Sequence, residues 1–445
     1  MTGRFSPPGR RHLHTFTSLT AAGLAEAVVS SLGVVALVRL TGTERAGQAI
    51  FAQSVAGVWF LLCDPRLENA AQRFVPAEHR ATGGGSALFL RLVRWDVAGR
   101  VATTVLGLAA VPVTWLLGFA GPGLALMLAL AVVARGLTGP NGAPRAAFAL
   151  TDRLRSFGVL RLACAGLSLA LSVAGMLVWG APGFLAGQAV SALVVAVTQI
   201  VLAVRAVRAA MGPPGRPGPV PPGLLGFTVK ASGGTALAEV SDSGILAVAG
   251  LLGGSTLVTL LKIASAPGRL YASMIMPVAS MLYPRLCRAV ADGEVSTRGR
   301  RDLRRATLLL AAVGTLTLGV AVLVVDDVLR LVYGSRYGGL AAVAAVLVAA
   351  ACVKGLVCWS NVLPLALGRP GWRLAYLGAE GLALVGLLLL AGLAARDAAG
   401  TSLLFACGTL AVSVCCAGTW LTLLGRFADD DAKEPKRPLR AGVRS

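Results

Sequence analysis

The chain has 445 residues, of which 56% are hydrophobic and only 14% charged, and its mean hydropathy is +0.75. Soluble domains carry about 25% charged residues, so this composition excludes an ordinary soluble fold. The net charge of +21 would suggest nucleic acid in a soluble protein. Here Lys and Arg stand in short stretches between long apolar runs, which is a pattern of membrane topology and leaves no role for nucleic acid.

At about 20 apolar residues per crossing, the sequence predicts spans near 16–40, 47–66, 95–119, 121–139, 156–180 and 182–204. A second set falls near 226–250, 256–284, 303–325, 338–367, 371–396 and 400–424. Arg4, Arg10 and Arg11 precede the first stretch as in a signal peptide, but that stretch is long and a second span follows, so it reads as a retained helix. Residues 67–94 mix Arg73, Arg80, Arg91 and Arg94 with Phe74, Leu88 and Phe89, which fits a helix on the membrane surface or an extension of the third span. The run Gly212–Gly223 holds too much Pro and Gly for a helix. It predicts a linker over 205–225 between an N-lobe (16–204) and a C-lobe (226–424), flanked by a short N-terminus (1–15) and a disordered tail (425–445). The expected fold class is therefore all-α, a polytopic protein of about twelve transmembrane helices in two six-helix lobes.

The loops alternate in charge. About 32 Lys and Arg lie in or beside the loops of one face and about 5 on the other, so the first face, with both termini, is expected in the cytoplasm and the chain in the plasma membrane. The loop Asp326–Tyr337 is the longest expected on the opposite face. The lobes also echo one another. Leu24-Ala25-Glu26 repeats as Leu237-Ala238-Glu239 and Pro65-Arg66-Leu67 as Pro284-Arg285-Leu286, at offsets of 213 and 219. An even number of spans per lobe makes this a parallel repeat, about an axis along the membrane normal.

Four intramembrane cations and four carboxylates need a reason, since each costs roughly 2.5–3.5 kcal/mol on insertion scales. Lys262 and Arg269 are two turns apart on one helix and share a face. Lys354 adds a cation on span 10, and Lys230 lies at the start of span 7. Together, Arg269, Lys262 and Lys354 would suit a pyrophosphate, which a guanidinium can hold bidentately. The carboxylates are Glu26, Glu239, Asp242 and Glu380, with Glu239 and Asp242 at i,i+3. Pairing between the two sets would explain them equally well. Eight cysteines and three histidines form no metal-ligand spacing, no catalytic constellation stands out, and the lack of a nucleotide-binding loop argues against direct use of ATP.

Asp64-Pro65-Arg66-Leu67-Glu68-Asn69-Ala70-Ala71-Gln72-Arg73-Phe74-Val75 after the second span resembles the N-terminal part of polysaccharide-unit flippases. These belong to the multidrug/oligosaccharidyl-lipid/polysaccharide exporter superfamily. Asp242, Tyr271, Tyr283-Pro284, the turn Tyr333-Gly334-Ser335-Arg336-Tyr337 and Gly368-Arg369-Pro370 resemble the second half in the same way, so the likeness covers roughly 15–425. It implies two lobes about a central cavity, alternating access, and flipping of a polyprenyl-pyrophosphate-linked oligosaccharide, with membrane lipids and polysaccharide-assembly enzymes as partners. Basic cavity residues would bind the pyrophosphate. Asp242 and Glu380, with Glu239 and Glu26, would be candidates for coupling to Na+ or H+. No other cofactor is expected. The alternatives are a multidrug or cation antiporter of the same superfamily, a membrane-bound polysaccharide polymerase, and a non-transporting scaffold. The span-8 cations weigh against the antiporter, and the short outer loops against the polymerase.

Overall fold

The computed structural model describes residues 10–63, 67–138, 146–148, 150–151, 154–215, 218–226, 228–229, 243–291, 300–367, 370–395 and 397–433. Among these there is no strand. The helices are α1 (Arg10–Cys63), α2 (Leu67–Thr82), α3 (Gly85–Leu116), α4 (Pro122–Leu137), α5 (Leu154–Met211) and α6 (Ile245–Ala291). They continue as α7 (Arg300–Tyr333), α8 (Ala341–Leu356), α9 (Leu363–Ala366), α10 (Pro370–Ala394) and α11 (Ala398–Lys433).

Three of these are pairs of spans. A straight helix of 54 residues, the length of α1, would reach about 81 Å, far more than a bilayer core of about 30 Å. Gly42 breaks it at φ 81°, ψ 169°, a region that side chains with a Cβ all but never enter. Gly180 breaks α5 (φ 63°, ψ −142°) and Gly254 breaks α6 (φ 65°, ψ −165°). The two arms of α5 then pack antiparallel along a glycine seam. A Cβ on Gly183 would overlap the Gly175 carbonyl, one on Gly187 would overlap that of Leu171, and Ser191 donates to Ser168 at 3.1 Å. Counting arms, the twelve predicted spans are all represented, with the seventh described from residue 243 onward.

Several boundaries differ from expectation. Residues 67–94 divide at Gly83 into α2 and the start of α3. The apolar face of α2 (Leu67, Ala70, Ala71, Val75) is buried against Leu88, Phe89 and Leu92 of α3 and against α5. The second arm of α5 runs on to Met211, so the linker begins at Gly212. Its described part is not a loose tether: Ser86 donates to the Gly212 carbonyl at 2.8 Å, and Leu224 is fully buried in the cluster beneath α2. The loop expected over Asp326–Tyr337 is mostly helix, because α7 continues to Tyr333 with Arg330 paired to Asp326 at 2.8 Å, one turn back. Span 10 is interrupted. α8 stops at Leu356, a 3-10 turn spans Cys358–Asn361, and α9 follows, because Trp359 is drawn wholly inside, where it donates to Thr307 at 3.0 Å and packs edge-on against Trp420. α11 is helical to Lys433, into the stretch expected to be disordered.

The lobes meet through the turns of α1 and α6. Thr259 donates to the Thr43 carbonyl at 2.8 Å, and a Cβ on Gly47 would overlap the Ser255 carbonyl. The two glycine breaks are 212 positions apart (42 to 254), close to the sequence offset of 213. Under the same shift Thr43 maps to Ser255 and Gly47 to Thr259. The contact of 47 with 255 and that of 43 with 259 are therefore the same contact seen from the two lobes, and the junction lies on the axis of the internal repeat.

Candidate functional site

The N-lobe encloses a cavity of about 570 Å³, within the usual range of ligand sites, about 300–1,000 Å³. It reaches from Glu68, Thr138 and Phe157, where helices end at the basic-loop face, to Leu37 and Phe184. Those two lie about one helical turn short of Gly42 and Gly180. The turns of α1 and α6 therefore seal the molecule beyond the cavity.

Four cations line this space, Arg100, Arg135, Arg161 and Lys262, against three carboxylates, Glu26, Glu68 and Asp96. Arg161 forms an ion pair with Glu26 across the gap between α5 and α1. Arg100 bonds Asp96 at 3.2 Å, one turn away on α3, and both are largely buried. Between the charges stand amides and hydroxyls: Gln53 donates to Gln188 at 2.6 Å, and Ser168, Ser172 and Gln199 complete the wall. A guanidinium has five donors and one carboxylate takes at most two. Arg161, paired with one carboxylate, therefore keeps donors that a phosphate oxygen or a sugar hydroxyl could accept from, while Glu26 limits its attraction for small anions.

The predicted substrate cations are not brought together. Lys262 lines the N-lobe cavity. Arg269 does share its face, but the guanidinium folds back along α6 and donates to the Lys262 carbonyl at 3.1 Å and to Ser265 Oγ at 2.6 Å. It is not part of the cavity wall. Lys354 lies in the C-lobe and pairs with Glu380 of α10. That carboxylate is 5% exposed, Tyr376 and Cys416 border it, and its second oxygen is buried without a hydrogen bond among the described residues. Of the predicted acids, Glu26 lines the N-lobe cavity and Glu380 the C-lobe pair. Lys230, Glu239 and Asp242 lie outside the described residues. Tyr271 is buried against Gly314 and Gly355 and serves the C-lobe core. Arg100, Arg135 and Arg161 were missed as site residues because they lie within two turns of a basic loop, where topology explains them.

Such an arrangement, two helical lobes with a polar, charged cavity, defines a multi-pass, all-helical membrane fold. No family model matches the sequence, and no curated protein matches it. Solved structures do. An inward-facing multidrug resistance MATE family transporter of the MOP superfamily matches with TM-score 0.60 at 14% identity, over 93% of this chain and 95% of that one. An outward-facing one matches with TM-score 0.64 at 15% identity, over 95% and 96%. A Vibrio cholerae MATE transporter in the bent form gives 0.63 at 13%, over 94% and 97%. The likeness is one of fold and runs through both lobes. At 13–15% identity it is the two-lobed, all-helical fold expected from the sequence that is shared.

Proposed function

We propose that this protein is an alternating-access transporter whose N-lobe cavity takes an anionic, hydroxyl-rich amphiphile, a polyprenyl-pyrophosphate-linked oligosaccharide, for cell-surface polysaccharide assembly. The observation that carries this reading is the cavity wall: four cations set among amides and serines. Arg161 and Lys262 face the pyrophosphate, the amide and hydroxyl wall takes the sugars, and the prenyl chain stays in lipid. With the basic loops in the cytoplasm, the sealed face is the outer one and the described state is open inward. Exposed Arg301, Arg304 and Arg305 at the start of α7 meet anionic headgroups. Coupling to Na+ or H+ falls to the carboxylates Glu26 and Glu380. Each already has an internal cation, so protonation or ion entry would release Arg161 or Lys354.

The second reading, export of cationic drugs, is favoured by the likeness to multidrug transporters and by Phe60, Phe157 and Phe184 in the cavity wall. One reconstitution separates the two. Purified protein in liposomes is given a fluorescent polyprenyl-pyrophosphate-linked sugar and, separately, a cationic dye. Glycan flipping is expected, and Arg161→Gln and Lys262→Met should each slow it about 10- to 100-fold, as for the loss of a charge-assisted hydrogen bond. Dye export without lipid flipping would establish the second reading instead.

A further inference from the structure

We propose that Arg39 is a latch between the lobes that sets how often the cavity opens to the face opposite the basic loops. This rests on alternating access and on no choice of substrate. Arg39 stands about one helical turn before Gly42 and reaches into the other lobe. Its Nε donates to the Val332 carbonyl at 2.6 Å, and its Nη2 to the Leu331 carbonyl. Both carbonyls belong to the last turn of α7, where a helix has no donors of its own. Gly334 ends that helix at φ 108°, ψ 160°, and its N–H returns to Arg330 at 3.0 Å. Leu331 and Val332 are thus left to an outside donor. A cation is also the favoured charge at a helix C-terminus. One N-lobe side chain therefore completes a C-lobe helix.

The rest of the junction is packed. Thr43 shares a hydrogen bond of 2.6 Å with Tyr337, and Tyr333 and Tyr337 are buried in the largest apolar cluster. Arg39 is exposed. When the lobes part, its guanidinium and the two carbonyls pass to water, so opening orphans no polar group. Such a bond is modest and reversible, as a contact that sets a population must be. The neighbouring cations are otherwise engaged: Arg330 with Asp326 at 2.8 Å, and Arg336 over the Tyr337 ring at 5.0 Å.

The test needs no substrate, so failure of the glycan reading leaves it untouched. The eight native cysteines are replaced by alanine and Val34→Cys is introduced. Val34 lines the cavity about two turns before Gly42. The protein is reconstituted in one orientation, and a membrane-impermeant maleimide is added to the sealed face. Arg39→Ala should speed labelling about five- to tenfold over its parent, and Arg39→Lys, which keeps a cationic donor, should fall between them. Labelling from the basic-loop face and thermal melting report folding. If Arg39→Ala melts early, Arg39→Gln makes the same comparison. A labelling rate at the sealed face equal to the parent's, in a folded variant, overturns the proposal.

Discussion

Glu380 shows what a buried charge demands inside a membrane protein. It is 5% exposed, and Lys354 meets it from α8. Removing one partner strands the other, whereas replacing both with uncharged groups of similar shape is often neutral. Lys354→Met should therefore destabilise the protein by about 3 kcal/mol, and the double variant Lys354→Met, Glu380→Gln should recover most of that loss. Thermal melting in detergent, followed by the fluorescence of the buried Trp359 and Trp420, would show it. Equal losses in the single and double variants would mean that the pair is not coupled. At this scale the sequence was legible in kind but not in grouping. Lys262, Lys354, Glu26 and Glu380 stand out by their residue type within apolar runs, yet Lys354 is 26 positions from Glu380 and Glu26 is 135 from Arg161. Nothing local encodes those pairs. They follow from which helices pack together.

Among the elements, span number and order were readable because about 20 apolar residues per crossing is a physical requirement of the bilayer. How consecutive spans join was not. Gly42, Gly180 and Gly254 are 3 of 55 glycines, and only the folded backbone distinguishes a turn glycine from one that lets helices approach. The strain argument makes the first kind testable. Gly42→Ala and Gly254→Ala should each cost about 1–3 kcal/mol, read as a lower melting temperature. Gly226→Ala, where a Cβ would meet open space, should change little. The interruption after Leu356 was equally hidden. It is fixed by a tertiary partner, Thr307, that holds the Trp359 indole. The extension of α7 to Tyr333 does have a local signal, the Asp326–Arg330 spacing of one helical turn.

For the whole molecule, the internal repeat and the proposed alternating cycle are two aspects of one geometry. In two lobes related by an axis along the membrane normal, contacts that lie on that axis hold both lobes together at one face. The paired contacts of Thr43 with Thr259 and Gly47 with Ser255 are such contacts. They lie at the turns, beyond the inner end of the cavity, so they must separate if the same cavity is to open on the other side. Joining the lobes there should leave substrate entry from the basic-loop face intact while stopping turnover. In a chain without its native cysteines, Thr43→Cys with Thr259→Cys, bridged by a short thiol cross-linker, should lose at least about 90% of transport, by the arithmetic of a population confined to one state. A cleavable linker should restore it on reduction, and each single variant treated alike should remain active. Transport that survives quantitative cross-linking would place the moving boundary elsewhere, between the arms of one lobe rather than between the lobes.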